Sequence, residues 1–450
     1  MDVETIAARA TPPGVGAIAL VRLSGPRARA IVEGLLSEEV RAKGFEARRA
    51  HLRTLVDPDT GTPLDQAVVL WYPAPHSYTG EEVVEISTHG GEVAPRGVLE
   101  ACLRMGAREA EPGEFTQRAW LNGRLDLVQA EAIHDLIEGR TEASRTVALH
   151  QMEGGLSSRI AELREGIVAL EALLVHHIDF PDEDDPPVPR STLADRGRAL
   201  GEALARLRRT APEGLLLREG ALLVLAGPPN AGKSSLFNAL VGQERAIVTP
   251  QPGTTRDALE VPLSIGGFPF RLVDTAGLRG EADEVEQLGI EVAHRYLDQA
   301  RLVLYCHPAG EGIDPEIEAF LEGLGEGRVL RLRTRADEDD GTGGGDGLRI
   351  SVHTGEGLDT LRDALEARAF GGLRSSGVEG GVVTRERQLR GIEDAEREVR
   401  AFVEALDGGI PVEMAATHLR PAESALESLL GVLDPEEVLD RVFREFCVGK

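Results

Sequence analysis

The stretch Gly227-Pro-Pro-Asn-Ala-Gly-Lys-Ser-Ser constrains this chain more than any other. It fits GxxxxGK[ST] and stands between the apolar run Ala221 to Ala226 and a helical segment from Ser235 to Val241. A buried strand, a glycine-rich turn and a helix in that order build a phosphate cradle. Gly227 and Gly232 let backbone N–H groups curl around a phosphate, and the helix N-terminus adds a positive dipole end. Lys233 is expected to reach the β- and γ-phosphates and Ser234 to hold magnesium, with Asn230, Ala231 and Ser235 completing the loop. Only three of the 49 basic residues are lysine: Lys43, Lys233 and Lys450. A lysine kept in the cradle suits a compact ammonium better than a planar guanidinium.

Two more segments follow in the order a nucleotide hydrolase needs. Pro252-Gly-Thr-Thr-Arg-Asp257 precedes Asp274-Thr275-Ala276-Gly277, which ends the strand-like run Phe270 to Val273. Asp274 is expected to orient the magnesium shell, the Gly277 amide to sense the γ-phosphate, and Thr255 to close over the metal. Leu278 occupies the place where Ras-like enzymes carry a water-orienting glutamine, so Glu286, within the acidic stretch Gly280 to Glu291, is the candidate to orient the attacking water.

Base reading departs from the expected Asn-Lys-x-Asp, which appears here as Thr334-Arg335-Ala336-Asp337. Asp337 can accept two bonds from guanine, and Arg335 can stack where lysine's stem would lie. Thr334 is expected to lose the amide's bracing contacts and to lower base affinity. A further guanine-contacting element is reduced to Ser351-Val352-His353. Together these favour GTP over ATP.

At 450 residues the chain is expected to hold about three domains. Residues 1–117 mix strand-like runs (Ala17 to Leu23, Gln66 to Tyr72, Glu82 to Ser87) with helical stretches, which reads as α+β. Residues 118–215 carry apolar positions at helical spacing, such as Leu156, Ile160, Leu163 and Ile167. Residues 216–371 alternate strand-like and helical runs, predicting an α/β domain with a mostly parallel sheet. Residues 372–450 return to helix, with a last helix starting at Asp434-Pro435-Glu436-Glu437. The two helical parts are expected to pack together, so that the α/β domain is an insertion. Asp337 to Gly347 reads as a loop.

A net charge of −27 opposes broad phosphate contact, so any nucleic-acid contact must be local or lent by a partner. No apolar run approaches membrane-spanning length, and the N-terminus lacks a secretory pattern, which predicts a cytoplasmic protein. Cys102, Cys306 and Cys447 are too few and too scattered for a disulfide framework or a structural zinc site.

With these residues in view, the chain resembles the MnmE (TrmE) family of tRNA-modification GTPases along nearly its whole length. Outside the α/β domain the resemblance rests on Thr11-Pro-Pro-Gly14, Val21-Arg-Leu-Ser-Gly25, Ser77-Tyr-Thr-Gly-Glu81, His89-Gly-Gly91, Glu111-Pro-Gly-Glu-Phe-Thr116, Leu121 to Ala132, Ile178-Asp-Phe-Pro-Asp182 and the terminal Cys447-Val-Gly-Lys450. The resemblance implies a Ras-like G domain inserted into a helical domain and preceded by a tetrahydrofolate-binding-like domain. It implies modification of carbon 5 of the wobble uridine of certain tRNAs, driven by GTP hydrolysis, with a partner, MnmG (GidA), that carries FAD and uses NADH. The one-carbon unit would come from 5,10-methylene- or 5-formyl-tetrahydrofolate at Arg22, Glu85, Arg124 (often lysine in the family) and Lys450. The resemblance also implies a homodimer across the nucleotide faces. There a potassium ion would sit among Asn230, the Thr249 and Gln251 carbonyls and Thr254, unless Asn230 merely braces its loop. Cys447 matches the cysteine that the family needs for modification. The alternative reading is a ribosome-assembly GTPase of the Era or Der type, which shares Gly-Thr-Thr-Arg-Asp but carries a basic RNA-binding domain or a tandem G domain.

Overall fold

The computed structural model describes residues 4–41, 44–179, 188–243, 245–246, 260–274, 295–310, 312–325, 327–338, 346–376, 381–432, 442–444, 446 and 448–450. By compactness the chain divides into two units, residues 1–134 with 430–450, and residues 135–429.

The first unit is built on a six-stranded sheet of order β3-β4-β5-β2-β1-β6. Its strands are β1 (Ile6–Arg9), β2 (Ile18–Ser24), β3 (His51–Val56), β4 (Pro63–Tyr72), β5 (Val83–His89) and β6 (Arg108–Glu109). All neighbours are antiparallel except β6, which runs parallel to β1 at an edge. Side chains alternate across a strand, so Val21, Leu23, Val84 and Ile86 point to one face. There they pack with Ile31 and Val32 of the helix Ala28–Gly34 and Val98 of the helix Val93–Arg104. Arg22 and Glu85 fall on the opposite face by the same alternation. The C-terminal residues belong to this unit because Phe443 and Phe446 are buried in it, beside Trp120 and His134 respectively. Gly113, at φ 72°, lets the chain approach within a distance that a Cβ would close to 2.5 Å from the Phe443 carbonyl.

The second unit holds a seven-stranded sheet of order β13-β12-β11-β7-β10-β9-β8. These are β7 (Ala221–Ala226), β8 (Arg245–Ala246), β9 (Glu260–Ile265), β10 (Phe268–Asp274), β11 (Leu302–Pro308), β12 (Val329–Thr334) and β13 (Leu348–Arg349). The run β13 to β10 is parallel, and β9 and β8 are antiparallel. β7 is apolar throughout because both faces are covered: Ala221, Leu223 and Leu225 enter one core while Leu222 and Val224 enter another. Each such leucine or valine contributes about 1.5–3 kcal/mol by burial, which fixes the strand that carries the glycine-rich turn.

Helices on either side of the sheet segment pack against each other, so the α/β domain is inserted into a helical one. Helix Glu386–Asp407 lies along helix Arg190–Arg208, and the buried Glu396 accepts from Arg208 at 2.7 Å and from Arg400 at 2.7 Å. Arg164 joins Glu423 at 2.8 Å and Glu427 at 2.6 Å. Entry and exit of the insertion are tied directly. Gln151 donates to the Val382 carbonyl at 2.6 Å, and the Glu213 carboxylate accepts from the Gly372 and Leu373 amides at 2.9 and 2.6 Å. Those amides restart the helix Leu358–Ser376 after its break at Phe370, whose φ is −135°. Phe370 is fully buried and stacks on Phe268 at 4.7 Å.

The expected strands reappear with their bounds moved by up to three residues. Short or mixed-polarity strands (β1, β3, β6, β8, β9, β13) were not expected, because two to six residues of mixed polarity carry little periodicity. The expected helix start at Asp434 lies outside the described residues, as does most of the loop Asp337 to Gly347. Among the described residues no helix is long and apolar enough to cross a membrane.

Candidate functional site

The glycine-rich turn leaves β7 at Gly227, where φ is 135° and an added Cβ would stand 2.1 Å from the Cys306 carbonyl oxygen. Neighbouring β11 therefore holds the turn tightly from beneath. Asn230 at φ 58° and Gly232 at φ 79° turn the loop, and the helix Lys233–Gln243 starts from it. Lys233 is 7% exposed, and its ammonium donates to the Gly227 and Pro228 carbonyls at 2.8 and 2.7 Å. The ammonium is thus aimed along the loop by the chain's own oxygens. Burial pushes the Cys306 thiol below the loop up to about 12, against the pull of the Lys233 charge, so it is an inert packing group.

β10 ends at Asp274 beside this turn, and Ser234 Oγ donates to Asp274 Oδ2 at 3.3 Å. A hydroxyl and a carboxylate converging from two elements form an oxygen-only donor set that suits a hard divalent cation. Thr255, Thr275, Ala276, Gly277 and Glu286 lie outside the described residues, as do Thr249, Gln251, Thr254 and Cys447.

A surface pocket lies against the helix start, lined by Gly232, Ser235, Thr334, Arg335, Asp337, Ile350, Val352 and His353 among others. It gathers the base-reading residues expected from two stretches of sequence. The Ser351 hydroxyl donates to Asp337 Oδ1 at 2.5 Å and holds that carboxyl below the usual range, leaving it ionised with a second oxygen available. Ser351 itself is fully buried, with its amide bonded to the Glu356 carbonyl. Arg335, at φ 55°, donates to the Asn230 carbonyl at 2.8 Å, which pins the base-reading turn to the glycine-rich one.

Thr334 differs from expectation. It is buried, with its hydroxyl 2.8 Å from the Ala231 carbonyl and 3.0 Å from the His307 carbonyl. One proton serves one acceptor at a time, so Thr334 retains a bracing contact to the glycine-rich loop where its loss was expected. The hydroxyl was readable as a donor, but the distance it spans was not. Replacing Thr334 by alanine strands that carbonyl at a cost of about 1–3 kcal/mol. Guanine-nucleotide affinity should then fall roughly tenfold or more in a titration, while Thr334→Asn should hold or raise it.

On the first unit's sheet, Arg22 of β2 and Glu85 of β5 are cross-strand partners, with Arg22 Nε and Nη2 donating to Glu85 Oε1 at 2.9 and 2.7 Å. The guanidinium lies 5.4 Å from the Tyr78 ring centroid and 5.7 Å from that of Phe115. Its third nitrogen faces the Gly449 carbonyl at 3.4 Å. The Phe115 amide donates to the Lys450 carbonyl at 3.2 Å, and Pro112 bridges to Val448. Val448 to Lys450 is therefore docked against the sheet. Arg124 is exposed, its stem 3.4 Å from where a Cβ on Gly80 would stand, over the turn Ser77 to Glu81. A half-buried ion pair flanked by aromatic rings fits a flat heterocycle bearing an amine edge.

Comparison with known proteins covers nearly the whole chain. The family model of the MnmE helical domain matches residues 127–447, and that of the GTP-binding protein TrmE N-terminus matches residues 5–124. The tRNA modification GTPase MnmE of Moorella thermoacetica is 41% identical over 462 residues, covering 99% of each chain. That of Methylorubrum populi is 44% identical over 450 residues, covering 99% of this chain and 98% of the other. Among solved structures, the G domain of the T. maritima FeoB iron transporter is 28% identical, covering 33% of this chain and 98% of that one at a TM-score of 0.24. On the strength of the full-length relatives and the two family models, this chain belongs to the MnmE (TrmE) family.

Proposed function

We propose that this chain is the GTP-hydrolysing subunit of a tRNA-modifying complex that adds a carboxymethylaminomethyl or aminomethyl group at carbon 5 of wobble uridine. The observation that supports it best is the pairing of a phosphate cradle with an ionised, serine-held Asp337 in one pocket region, within a chain alignable end to end with tRNA modification GTPases. Asp337 accepts from the guanine edge, and an adenine would set an acceptor against that carboxylate. Lys233 and the loop amides bind the β- and γ-phosphates, and Ser234, Asp274 and Thr255 hold and orient magnesium. Gly277 reports the γ-phosphate and Glu286 orients the attacking water. Asn230, Thr249, Gln251 and Thr254 supply oxygens to a potassium ion when two copies meet across their nucleotide faces.

Arg22, Glu85, Arg124 and Lys450 hold a tetrahydrofolate derivative, which when bound supplies the one-carbon unit. The partner is MnmG, carrying FAD and using NADH, and Cys447 serves the modification step. The complex works in the cytoplasm on tRNA.

Hydrolysis by the purified chain should be guanine-selective and at least about tenfold faster in potassium than in sodium, since a cation stabilising the transition state replaces an arginine finger. Equal rates in the two salts count against the potassium site. Mass spectrometry of wobble uridine from cells lacking the chain should show the modification gone. Its persistence, alongside potassium-stimulated hydrolysis, would point instead to an Era- or Der-like role.

A further inference from the structure

A chain of net charge −27 repels RNA at long range, so a tRNA substrate needs a local cationic landing place. The first unit carries one at the edge of its sheet. Between Arg41 and Arg53 the sequence holds Arg41, Lys43, Arg48, Arg49 and Arg53 against one acid, Glu46. β3 is the edge strand, and the turn before it folds back so that Arg29, Arg49, His51 and Arg53 line one shallow depression with Phe45.

What distinguishes this surface is how its cations are held. Arg41 donates to the Glu33 and Leu36 carbonyls at 2.9 and 3.2 Å, Arg48 to the His76 carbonyl at 3.1 Å, and Arg53 to the Gly44 carbonyl at 3.1 Å. Among the described residues none of the three bonds a carboxylate, so each guanidinium is oriented by neutral oxygens and keeps its full charge for a partner. Arg29 lies 4.1 Å from the Trp71 ring centroid but is paired with Glu33 at 2.8 Å, so its charge is already met within the chain. Arg48 sits at φ 59°, where glycine would be cheaper, and its amide is tied to the Trp71 carbonyl at 2.8 Å. An arginine kept in a strained position argues that its side chain is used.

We infer that Arg41, Arg48 and Arg53, at this edge of the sheet, form a contact surface for the phosphodiester backbone of an RNA. The inference rests on the tRNA reading above. Arg49 pairs with Glu46 at 3.1 Å, but guanidiniums held by carbonyls, as those of Arg41, Arg48 and Arg53 are, match phosphate oxygens bidentately, and such contacts position an RNA without reading its sequence. Recognition of the uridine itself belongs elsewhere.

The test is the affinity of the full chain for an unmodified tRNA transcript, measured from 50 to 200 mM KCl, for the wild type and for Arg41→Glu/Arg48→Glu, both residues being exposed. The double variant should bind about tenfold or more weakly at 100 mM salt. The slope of log affinity against log salt should shrink by about 1.4–1.8, at roughly 0.7–0.9 for each of two phosphate contacts. GTP hydrolysis should be unchanged, which shows that the variant is folded. Arg196→Glu/Arg209→Glu, on exposed helical arginines, alters net charge equally and should leave the slope alone. An unchanged slope in the first variant, an equal loss in the second, or no tRNA binding by the wild type overturns the proposal. Charges on an edge strand also discourage strand-to-strand association; self-association of the first variant with an intact slope would assign them that role instead. Wobble-uridine mass spectrometry in cells lacking the chain fails separately: a lost modification with an unchanged slope sinks only this surface, and a retained one sinks the tRNA reading.

Discussion

Lys233→Ala will bind guanine nucleotides about 10² to 10⁴ times more weakly than the wild type. The ammonium is nearly buried and directed by two loop carbonyls, so it arrives preorganised at the place where the β- and γ-phosphates belong. Losing two charge-assisted hydrogen bonds at about 1.5–3 kcal/mol each amounts to roughly 3–6 kcal/mol. At about 1.4 kcal/mol per decade this gives the stated range. Lys233→Arg should recover little, because a planar fork does not fit a slot shaped for a point charge. A titration with a fluorescent GDP analogue plus magnesium reads both variants, and an affinity within fivefold of wild type for Lys233→Ala would remove the ammonium from the phosphate site.

Gly227→Ala will strongly destabilise the second unit. Its Cβ would come within 2.1 Å of a backbone oxygen on β11, and its φ of 135° is hostile to any side chain. Overpacking costs about 1–3 kcal/mol and the backbone strain about 1–3 kcal/mol more. For a unit of this size each kcal/mol lowers the melting temperature by about 2–4 °C, so a fall on the order of 10 °C is expected by calorimetry. Gly232→Ala is the control. Its φ is 79°, but its nearest neighbour would be the Thr334 Cβ at 3.5 Å, so only the strain remains. Equal melting temperatures for the two variants would show that β11 yields to the turn, and would refute the tight packing argued for it.

What the sequence determined by itself lies in short-range order. The apolar run Ala221 to Ala226, the glycines and lysine after it and the helix they open are neighbours in the chain, so spacing alone declares a strand, a turn and a phosphate cradle. Helical periodicity likewise announced the long amphipathic helices, and the return of that period after the α/β segment announced an insertion. Tertiary structure decided whatever depends on distance between remote residues. Arg22 and Glu85 become one ion pair only because β2 and β5 pair in that register. Val448 to Lys450 joins the N-terminal sheet because Phe443 and Phe446 find their burial there, and no local pattern at the C-terminus encodes which sheet receives them. Thr334 shows the same limit at a single residue. Its sequence neighbourhood predicts a lost amide, whereas a hydroxyl on a buried strand end reaches the loop carbonyl at 2.8 Å because β11 and β12 are parallel neighbours under the cradle. Periodicity reports which side of an element is buried; only packing reports what that side meets.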